Sequence, residues 1–320
     1  MKILVVGGCG YIGACLVPEL LADGHEVKVV DTQWFGRGSL PDNGSLTVIK
    51  ADIRDLLKME EYSKGQDVVI CLAGITSEAM CQKDRMLAHT VNTAGIASVI
   101  LAAKKACVWR FILASSAAAY GSSETDATEE HELQPTTIYG EHKKMNEGFL
   151  KEMLPKGIIT RSASVCGYSP RQRFDLTVNK MVHDAIKKGA ITVNGGQQKR
   201  CHIHMKDICA FYRLLLTAPE DKVNGQVFNV VGENQTVNKT AEVVSDFTGC
   251  NRQWTPRSDN RSYTVDGSKA KEVLGFTPKS KVIDAVRDLR IRFDQDAQGF
   301  TRQWIDSETN PVYQNMMEFS

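Results

Sequence analysis

Tyr139 and Lys143 lie four residues apart in the sequence YGEHK, so a helix over this stretch places both side chains on one face. A tyrosine phenol ordinarily loses its proton near pH 10, and bringing that titration to about pH 7 requires about 4 kcal/mol of extra stabilisation of the phenolate. A neighbouring ammonium group acts in that direction because it attracts the negative charge. The pair therefore predicts a general base that takes the proton of a substrate hydroxyl.

Two serines strengthen this interpretation. Ser115 and Ser116 end an apolar run that begins at Arg110, upstream of Tyr139. A strand over that run would bring them to the sheet edge where ligands bind, and a serine hydroxyl there can donate to the reacting oxygen. The alternative, a surface tyrosine beside a solvated lysine, accounts for the Y-x-x-x-K spacing but not for the serines.

A glycine-rich segment, GGCGYIG at Gly7–Gly13, closes the first apolar run. Gly8, Gly10 and Gly13 match G-x-G-x-x-G, and Asp31 follows about 20 residues later, at the end of the next β-rich run. Glycines let the backbone approach a pyrophosphate, and the N-terminus of the following helix offers free N–H groups. Asp31 can accept both adenosine ribose hydroxyls and would repel a 2′-phosphate. The set predicts a site for NAD rather than NADP, although an ordinary strand–helix turn also fits the glycines alone.

Two other charged residues near this site have two interpretations each. Asp52, followed by Ile53, ends the third β-rich run and either contacts adenine or caps the next helix. Arg37 either accommodates a phosphate or is a solvated loop charge, and the sequence favours the second. With both halves of the site present, hydride leaves the substrate carbon for the nicotinamide as the tyrosine removes the hydroxyl proton.

The elements that position these residues alternate along the first half of the chain. Strands are predicted at Lys2–Gly7, Glu26–Asp31, Leu46–Asp52, Asp67–Ala73, Arg110–Ser115 and Gly157–Val165. Helices are predicted at Tyr11–Ala22, Arg85–Cys107, Ile138–Leu154, Leu176–Lys188, Lys206–Thr217, Thr240–Thr248 and Val282–Phe293. Apolar strands separated by helices indicate an α/β fold with a Rossmann-type, doubly wound parallel sheet covered on both faces.

The chain divides into three predicted parts. Residues 1–168 form the NAD-binding Rossmann domain, which part of 197–232 rejoins, and residues 169–293 form a smaller, mixed α/β substrate-binding lobe. Residues 294–320 are a polar C-terminal extension. A length of 320 residues is suited to two domains.

The composition is that of an ordinary globular chain, with 42% apolar residues, 24% charged residues and a net charge of +1. We therefore expect neither nucleic acid nor a membrane as partner, and no apolar stretch near the ~20 residues of a bilayer span. The nine cysteines include no C-x-x-C pair, which favours buried thiols in a reducing, cytoplasmic setting over disulfides. Cys201, His202 and His204 resemble a metal cluster, but their alternation indicates a strand, and we expect no metal site.

A set of motifs extends over the chain to about residue 293. It comprises GGCGYIG at 7–13, ADIRD at 51–55, CLAG at 71–74, VNTAG at 91–95, SSAAAYG at 115–121, YGEHK at 139–143, KRCHIHMKDI at 199–208 and VDGSKAKEVLGF at 265–276. Together with Asp31, the set resembles the extended short-chain dehydrogenases/reductases of the sugar-nucleotide epimerase/dehydratase family, which includes UDP-galactose 4-epimerase. The resemblance implies an NAD-dependent enzyme that acts on a nucleoside-diphosphate sugar.

The resemblance also implies residue roles. Tyr139 would be the base, Lys143 its partner and a ribose ligand, and Ser116 the hydroxyl donor. The implied NAD contacts are Gly7, Gly10, Tyr11, Ile12, Gly13, Asp31, Asp52, Ile53, Leu72, Ala73, Asn92 and Lys143. The implied substrate contacts are Thr76, Ser116, Ser164, Arg173, Arg200, Arg257 and Arg261. A homodimer is implied as well, in which Arg85–Cys107 and Ile138–Leu154 pair with their copies in a four-helix bundle.

Substrate phosphates favour arginine, whose planar fork bonds oxyanions bidentately. Arg200 matches the family stretch whose arginine contacts the diphosphate, and either Arg257 or Arg261 matches a second such arginine. Arg171 and Arg173 lie in the loop SPRQRFD. Both could face the cleft, but we expect at least one of them to be solvated.

Two departures from the family bear on the reaction. Ala117 and Ala118 stand where relatives that eliminate water or decarboxylate carry acidic side chains, which disfavours 4,6-dehydration. Ser162-Ala163-Ser164 replaces an aromatic pair and an asparagine of many epimerases, so the sugar contacts differ. The leading interpretation is a 4-epimerase that transiently oxidises C4 of the sugar. The alternatives are a dehydrogenase or ketoreductase with one net redox step, and a non-catalytic NAD(H)-binding scaffold or sensor, which the complete catalytic set disfavours.

Overall fold

The computed structural model describes residues 1–37, 40–123, 125–255 and 262–295. The strands over these residues are β1 (Lys2–Val6), β2 (Glu26–Asp31), β3 (Leu46–Lys50), β4 (Val68–Cys71), β5 (Arg110–Ser116), β6 (Ile158–Ser162), β7 (Ser164–Cys166), β8 (Ala190–Asn194), β9 (Lys199–His204), β10 (Val227–Val230), β11 (Glu233–Thr236) and β12 (Asn251–Thr255). The helices are α1 (Gly13–Ala22), α2 (Leu56–Ser63), α3 (Glu78–Lys83), α4 (Arg85–His89), α5 (Ile96–Lys105), α6 (Ile138–Met153), α7 (Thr177–Lys188), α8 (Met205–Thr217), α9 (Glu220–Val223), α10 (Val237–Thr248), α11 (Ser268–Leu274) and α12 (Val282–Gln295). A π-helical turn, Thr90–Gly95, joins α4 to α5, and a 3-10 turn, Ala117–Tyr120, follows β5.

Seven strands form one parallel sheet in the order β10-β6-β5-β4-β1-β2-β3. The chain leaves β1 towards β2 and β3 and then returns to place β4 on the other side of β1. Ligands of open α/β sheets bind in the crevice at such a reversal, outside the carboxyl ends of the strands. The predicted Rossmann-type, doubly wound parallel sheet is confirmed. Its seventh strand, β10, comes from within residues 197–232 and pairs with β6.

Alternation along β1 explains why the sheet is covered on both faces. Ile3 and Val5 are fully buried in one hydrophobic cluster, which α1 and α8 complete, whereas Leu4 and Val6 are fully buried in a second cluster with α2 and α5. Successive side chains of a strand point to opposite faces, so a continuous apolar run requires helices on both sides. Each such residue contributes about 1.5–3 kcal/mol through burial.

The remaining strands form two small sheets, β11-β9-β7 and β12-β8. β11 runs antiparallel to β9, while β7 is parallel to β9 and β12 is parallel to β8. A third core cluster, which includes Phe174, Val182, Val193 and Leu289, lies among α7, α10 and α12. Helix α12 continues two residues beyond the predicted boundary at 293, and residues 296–320 of the extension lie outside the described residues.

The single strand predicted at Gly157–Val165 is wrong. The chain changes sheets at Ala163, because Ser162 pairs with Ser116 in the large sheet whereas Ser164 pairs with His202 in the small one. The apolar residues continue across this break, so the sequence pattern conceals it. The break matters for function because both serines line the same cleft.

The expectation that no apolar stretch approaches membrane-spanning length also needs correction. The helical stretch Arg85–Lys105 has 21 residues and is long and apolar enough to cross a membrane, by length and composition only. Its most apolar 18 residues are 61% buried inside the protein, as in a core helix. Among the described residues, no group of three or more His, Cys, Asp or Glu is placed to hold a metal ion.

Candidate active site

A cleft of about 1000 Å³ lies at the carboxyl edge of the large sheet. Its walls include the segments that directly follow β1 and β4, the carboxyl ends of β2 and β5, helix α6 and most of residues 171–177. Most of the predicted site residues line it: Gly7, Gly10, Tyr11, Ile12, Gly13, Asp31, Asp52, Ile53, Leu72, Ala73, Thr76, Ser116, Tyr139, Lys143, Ser164, Arg173 and Arg200. Arg257 and Arg261 fall outside the described residues.

The glycine segment fits a dinucleotide for steric reasons. Gly7 has a φ of +82°, and a Cβ there would lie 2.7 Å from the backbone of Ala73. A Cβ on Gly13 would lie 2.4 Å from the carbonyl oxygen of Gly8. Only glycine tolerates both contacts. Helix α1 begins at Gly13, so its free N–H groups and positive dipole face the cleft where a pyrophosphate would bind.

Asp31 is held in place by the backbone before any ligand binds. One carboxylate oxygen accepts from the Cys9 N–H at 3.0 Å and the other accepts from the Gln33 N–H at 2.7 Å. Burial raises the pKa of Asp31, while these two hydrogen bonds and the charge of Arg171 act in the opposite direction. Each oxygen retains acceptor capacity for a ribose hydroxyl.

Two neighbouring residues differ in how they relate to the cleft. The carboxylate of Asp52 accepts from Nη2 of Arg54 at 2.6 Å and from the Arg54 N–H, so its lining position is stabilised by an ion pair. Arg37 pairs with Asp42 at 3.2 Å on the surface, as a loop charge would.

Asn92, a predicted cofactor contact, does not line the cleft. Its amide oxygen accepts from the Ile75 N–H at 2.7 Å and its amide nitrogen donates to the Ile75 carbonyl at 2.8 Å, so it supports the cleft wall from behind.

The three predicted catalytic residues, Ser116, Tyr139 and Lys143, line the same cleft, and Lys143 contacts the end of β5. Nζ of Lys143 lies 5.5 Å from the centre of the Tyr139 ring and donates to the Ala114 carbonyl at 2.6 Å. Oγ of Ser116 accepts from the Ala118 N–H at 3.2 Å, which begins the 3-10 turn. Gly140 allows helix α6 to reach this turn, because a Cβ there would lie 2.6 Å from the Ala118 carbonyl oxygen.

A buried ionic network beneath the serines was not found by sequence analysis. Oγ of Ser115 donates to Glu147 at 2.5 Å, and the Glu147 carboxylate pairs with Arg161 at 2.7 Å. Arg161 also donates to the Tyr120 hydroxyl at 2.8 Å, which in turn donates to Asn229 at 2.7 Å. Burial opposes the charge of Arg161, but the hydrogen bonds and charge of Glu147 raise its pKa. The sequence YGEHKKMNE contains a signal for Glu147, because this residue follows Lys143 by four positions and so lies on the same face of the helix. The sequence does not identify a partner for Glu147.

The loop 167–176, here called the crossing loop, ties the second lobe to the cofactor side of the cleft. The Tyr11 hydroxyl donates to the Gly167 carbonyl and Oγ of Ser169 donates to the Tyr11 carbonyl, both at 2.7 Å. The guanidinium of Arg171 stacks 3.8 Å from the centre of the Phe35 ring. Burial and the nearby Arg173 lower the pKa of Arg171 to about 10. Arg171 therefore faces the cleft rather than bulk solvent.

Two more arginines, Arg173 and Arg200, line the cleft. Arg173 donates to the Thr76 hydroxyl at 2.6 Å and pairs with Asp175 at 2.5 Å. Burial lowers and Asp175 raises the pKa of Arg173, and the net shift is upward. The Arg200 guanidinium lies 5.5 Å from the centre of the Tyr263 ring.

Comparisons with known proteins agree with this geometry. Residues 3–231 match the model of the NAD dependent epimerase/dehydratase family. The chain is 28% identical over 313 residues to a UDP-glucose 4-epimerase of Lactobacillus helveticus, covering 89% of this chain and 94% of that one. It is 25% identical to a UDP-N-acetyl-alpha-D-glucosaminuronate decarboxylase of Bacillus cytotoxicus, covering 77% and 80%. The structure of Thermotoga maritima UDP-glucose 4-epimerase with UDP-glucose is similar at 26% identity and a TM-score of 0.83, covering 93% of this chain and 100% of that one.

These matches extend beyond the Rossmann sheet into the second lobe, so the likeness is not that of a cofactor domain alone. The relatives are named for more than one reaction on nucleotide sugars, and the family model that the chain matches is described as NAD dependent. The glycine cradle, the α1 N-terminus and Asp31 fit NAD on steric and electrostatic grounds. The chain belongs to the NAD-dependent epimerase/dehydratase family and is an NAD-dependent enzyme.

Proposed function

We propose that the protein is a nucleotide-sugar 4-epimerase, which oxidises the C4 hydroxyl of the sugar transiently and reduces the ketone from the opposite face. The observation that carries the proposal is the combination of Ser116, Tyr139 and Lys143 with an acid-free turn, since Ala117 and Ala118 line the cleft directly after the serine. Such a site supports reversible oxidation of a hydroxyl, and the turn after the serine offers no carboxylate for a second reaction.

The chain's own groups account for the proton steps. Tyr139 takes the C4 hydroxyl proton and returns it in the reverse step, and Ser116 donates a hydrogen bond to the same oxygen. Lys143 favours the phenolate by its charge, and the Ala114 carbonyl fixes the position of Nζ. Bound NAD supplies the reversible hydride acceptor.

The carboxylates in the cleft support epimerisation over elimination. Among the described residues that line the cleft, the acidic ones are Asp31, Asp52, Glu78 and Asp175. Each is already engaged: with backbone N–H groups, with Arg54, with the N-terminus of α6, and with Arg173, respectively. No carboxylate among them is offered to the sugar ring as the acid or base that dehydration requires.

The proposed substrate is a nucleoside-diphosphate sugar, with the diphosphate held by arginines of the second lobe. Arg200 lies on β9 at the cleft, and Arg173 extends from the crossing loop to Thr76. Guanidinium groups suit phosphate oxygens because they donate in a planar fork. The UDP-glucose-bound relative of similar fold supports this choice of substrate class.

We also propose that the protein is a homodimer. The helices that the family likeness assigns to the interface expose Met86, Leu101 and Met145, which are 72%, 38% and 40% exposed. Light scattering should give a dimer mass, and Met145→Glu should reduce it towards the monomer; a monomeric wild type would contradict this part of the proposal.

Product analysis tests the function. The enzyme is incubated with UDP-, GDP-, CDP- and dTDP-hexoses, and the products are identified by NMR while NADH absorbance is followed. The expected result is interconversion of C4 epimers with no net NADH. Net NADH production would favour a dehydrogenase, and net NADH consumption would favour a ketoreductase. A 4-keto-6-deoxy product would establish a dehydratase. No turnover by protein with full NAD occupancy would favour a binding protein.

A further inference from the structure

Glu78, the first residue of α3, has its side chain at the start of the catalytic helix. Its carboxylate oxygens accept from the Tyr139 N–H at 3.0 Å and from the Ile138 N–H at 3.3 Å. Nε2 of Gln82, one turn along α3, donates to the same carboxylate at 3.0 Å. Two of the N–H groups that a helix N-terminus leaves without an intrahelical partner are thus satisfied by another element.

This contact is additional to the helix's own cap. Oγ1 of Thr137 already accepts from the Gly140 N–H at 3.0 Å, as an N-cap residue does. What Glu78 adds is a connection between the helix that carries Tyr139 and the segment 75–78 of the cleft wall. That segment is fixed in turn, since Asn92 holds Ile75 from behind and Arg173 donates to Thr76.

Glu78 also places a negative charge at the first turn of the helix that carries the proposed base. Among the described residues, Nζ of Lys143 lies 5.5 Å from the centre of the Tyr139 ring, and Arg173 on the crossing loop and Tyr212 on α8 interact electrostatically with Tyr139. The Glu78 carboxylate contacts the Tyr139 backbone N–H and also acts on His142 of α6. A positive charge near a phenol favours its ionisation, and a negative charge opposes it. The carboxylate is itself stabilised by the positive end of the α6 dipole.

We infer that Glu78 is a positioning residue for Tyr139, which fixes the first turn of α6 against the substrate wall and sets the pH range in which the phenolate forms. The inference rests on the proposed role of Tyr139 as base. It assigns to Glu78 no contact with the reacting atoms.

Three variants separate position from charge. Glu78→Ala removes both acceptor oxygens and the charge. Glu78→Gln removes the charge and keeps an amide oxygen for the Tyr139 N–H, while its NH2 group replaces the oxygen that accepts from the Ile138 N–H and from Gln82. Thr137→Ala, the matched control, removes the other cap of the same helix without changing any charge. For each variant kcat and KM are measured against pH. The tyrosinate absorbance of Tyr139 is titrated as the difference between each protein and its Tyr139→Phe counterpart, which needs no substrate.

We expect Glu78→Ala to lower kcat at its optimum about 10- to 100-fold, as displacement of a catalytic group does, with KM and the Kd for NADH changed less than about 3-fold. Glu78→Gln should recover most of kcat. Removing a negative charge makes the phenolate form at lower pH, so the acid limb of kcat and the tyrosinate midpoint should both move to lower pH in Glu78→Gln and stay in place in Thr137→Ala.

Two results would overturn the inference: a tyrosinate midpoint in Glu78→Gln that equals the wild type, or wild-type kcat in Glu78→Ala. Failure of the proposed function is a different outcome, because the absorbance titration reports on Glu78 even if no nucleotide sugar is turned over.

Discussion

Loss of Glu147 should destabilise the protein and damage catalysis together. The side chains of Glu147 and Arg161 are 2% and 3% exposed, and Nε and Nη2 of Arg161 both donate to the carboxylate. In Glu147→Ala the guanidinium keeps its Nη1 contacts with Tyr120 and the Glu129 carbonyl but leaves the other donors buried without their partner. Breaking a buried pair from one side costs about 3–5 kcal/mol of unfolding free energy. The Ser115 hydroxyl also loses its acceptor, next to Ser116.

Urea unfolding followed by circular dichroism measures the change in unfolding free energy, and kcat measures the effect on catalysis. We expect the unfolding free energy of Glu147→Ala to fall by about 3–5 kcal/mol. The double variant Glu147→Ala/Arg161→Ala should recover part of this loss, because no unpaired charge remains buried. If Glu147→Ala cost less than about 1 kcal/mol, or if the double variant were less stable by the full sum of the two single changes, the reasoning would be refuted.

Three other changes test separate parts of the account. Asp31→Asn should weaken NADH binding and relax discrimination against NADPH, because the repulsion of a 2′-phosphate is lost; wild-type protein that binds both equally in fluorescence titration would contradict this. Arg200→Ala should weaken binding of the preferred nucleoside diphosphate about 10- to 150-fold in isothermal titration, the effect of one charge-assisted contact, and unchanged affinity for UDP, GDP, CDP and dTDP would exclude the diphosphate role. Burial lowers the pKa of His202 to about 4, whereas an unfolded histidine titrates near 6.5. The unfolded state therefore binds more protons between these values, and stability is complete above about pH 6.5 and declines as the pH falls towards 4. The free energy of unfolding should therefore fall by about 2 kcal/mol between pH 7 and pH 5. In urea unfolding at these two pH values, His202→Gln should lose less unfolding free energy than the wild type. An equal loss would mean that His202 does not contribute to the pH dependence.

Features that depend on local geometry were predictable from the sequence. Gly13 is required by its contact with Gly8 inside one strand–turn–helix unit, so the spacing of these glycines carries the information. The contact of Gly7 with the backbone of Ala73 is long-range, and only the motif, not the local geometry, indicates it. Tyr139 and Lys143 share a helix face by spacing alone, and the continuous apolar runs of β1 and β4 require a sheet covered on both sides.

Features that depend on pairing between distant residues were not predictable. The contact of Glu78 with Tyr139, the pairing of Glu147 with Arg161, and the bonds of Tyr11 to the crossing loop join residues far apart in the chain. Nothing in either partner's local sequence identifies the other. Asn92 shows that a motif can also mislead. Its motif indicates a cofactor contact, whereas in the structure its side chain forms a hydrogen bond with the Ile75 backbone.

The most direct test of the central claim is the turnover of Tyr139→Phe with its cofactor in place. The ring keeps its packing and Lys143 remains in the wall of the cleft, so NAD should co-purify with this variant as with the wild type. Interconversion of C4 epimers, followed by NMR with the substrate that the wild-type enzyme prefers, should fall at least about 100-fold, because the group that transfers the proton is gone. Epimerisation at the wild-type rate by Tyr139→Phe would contradict the mechanism.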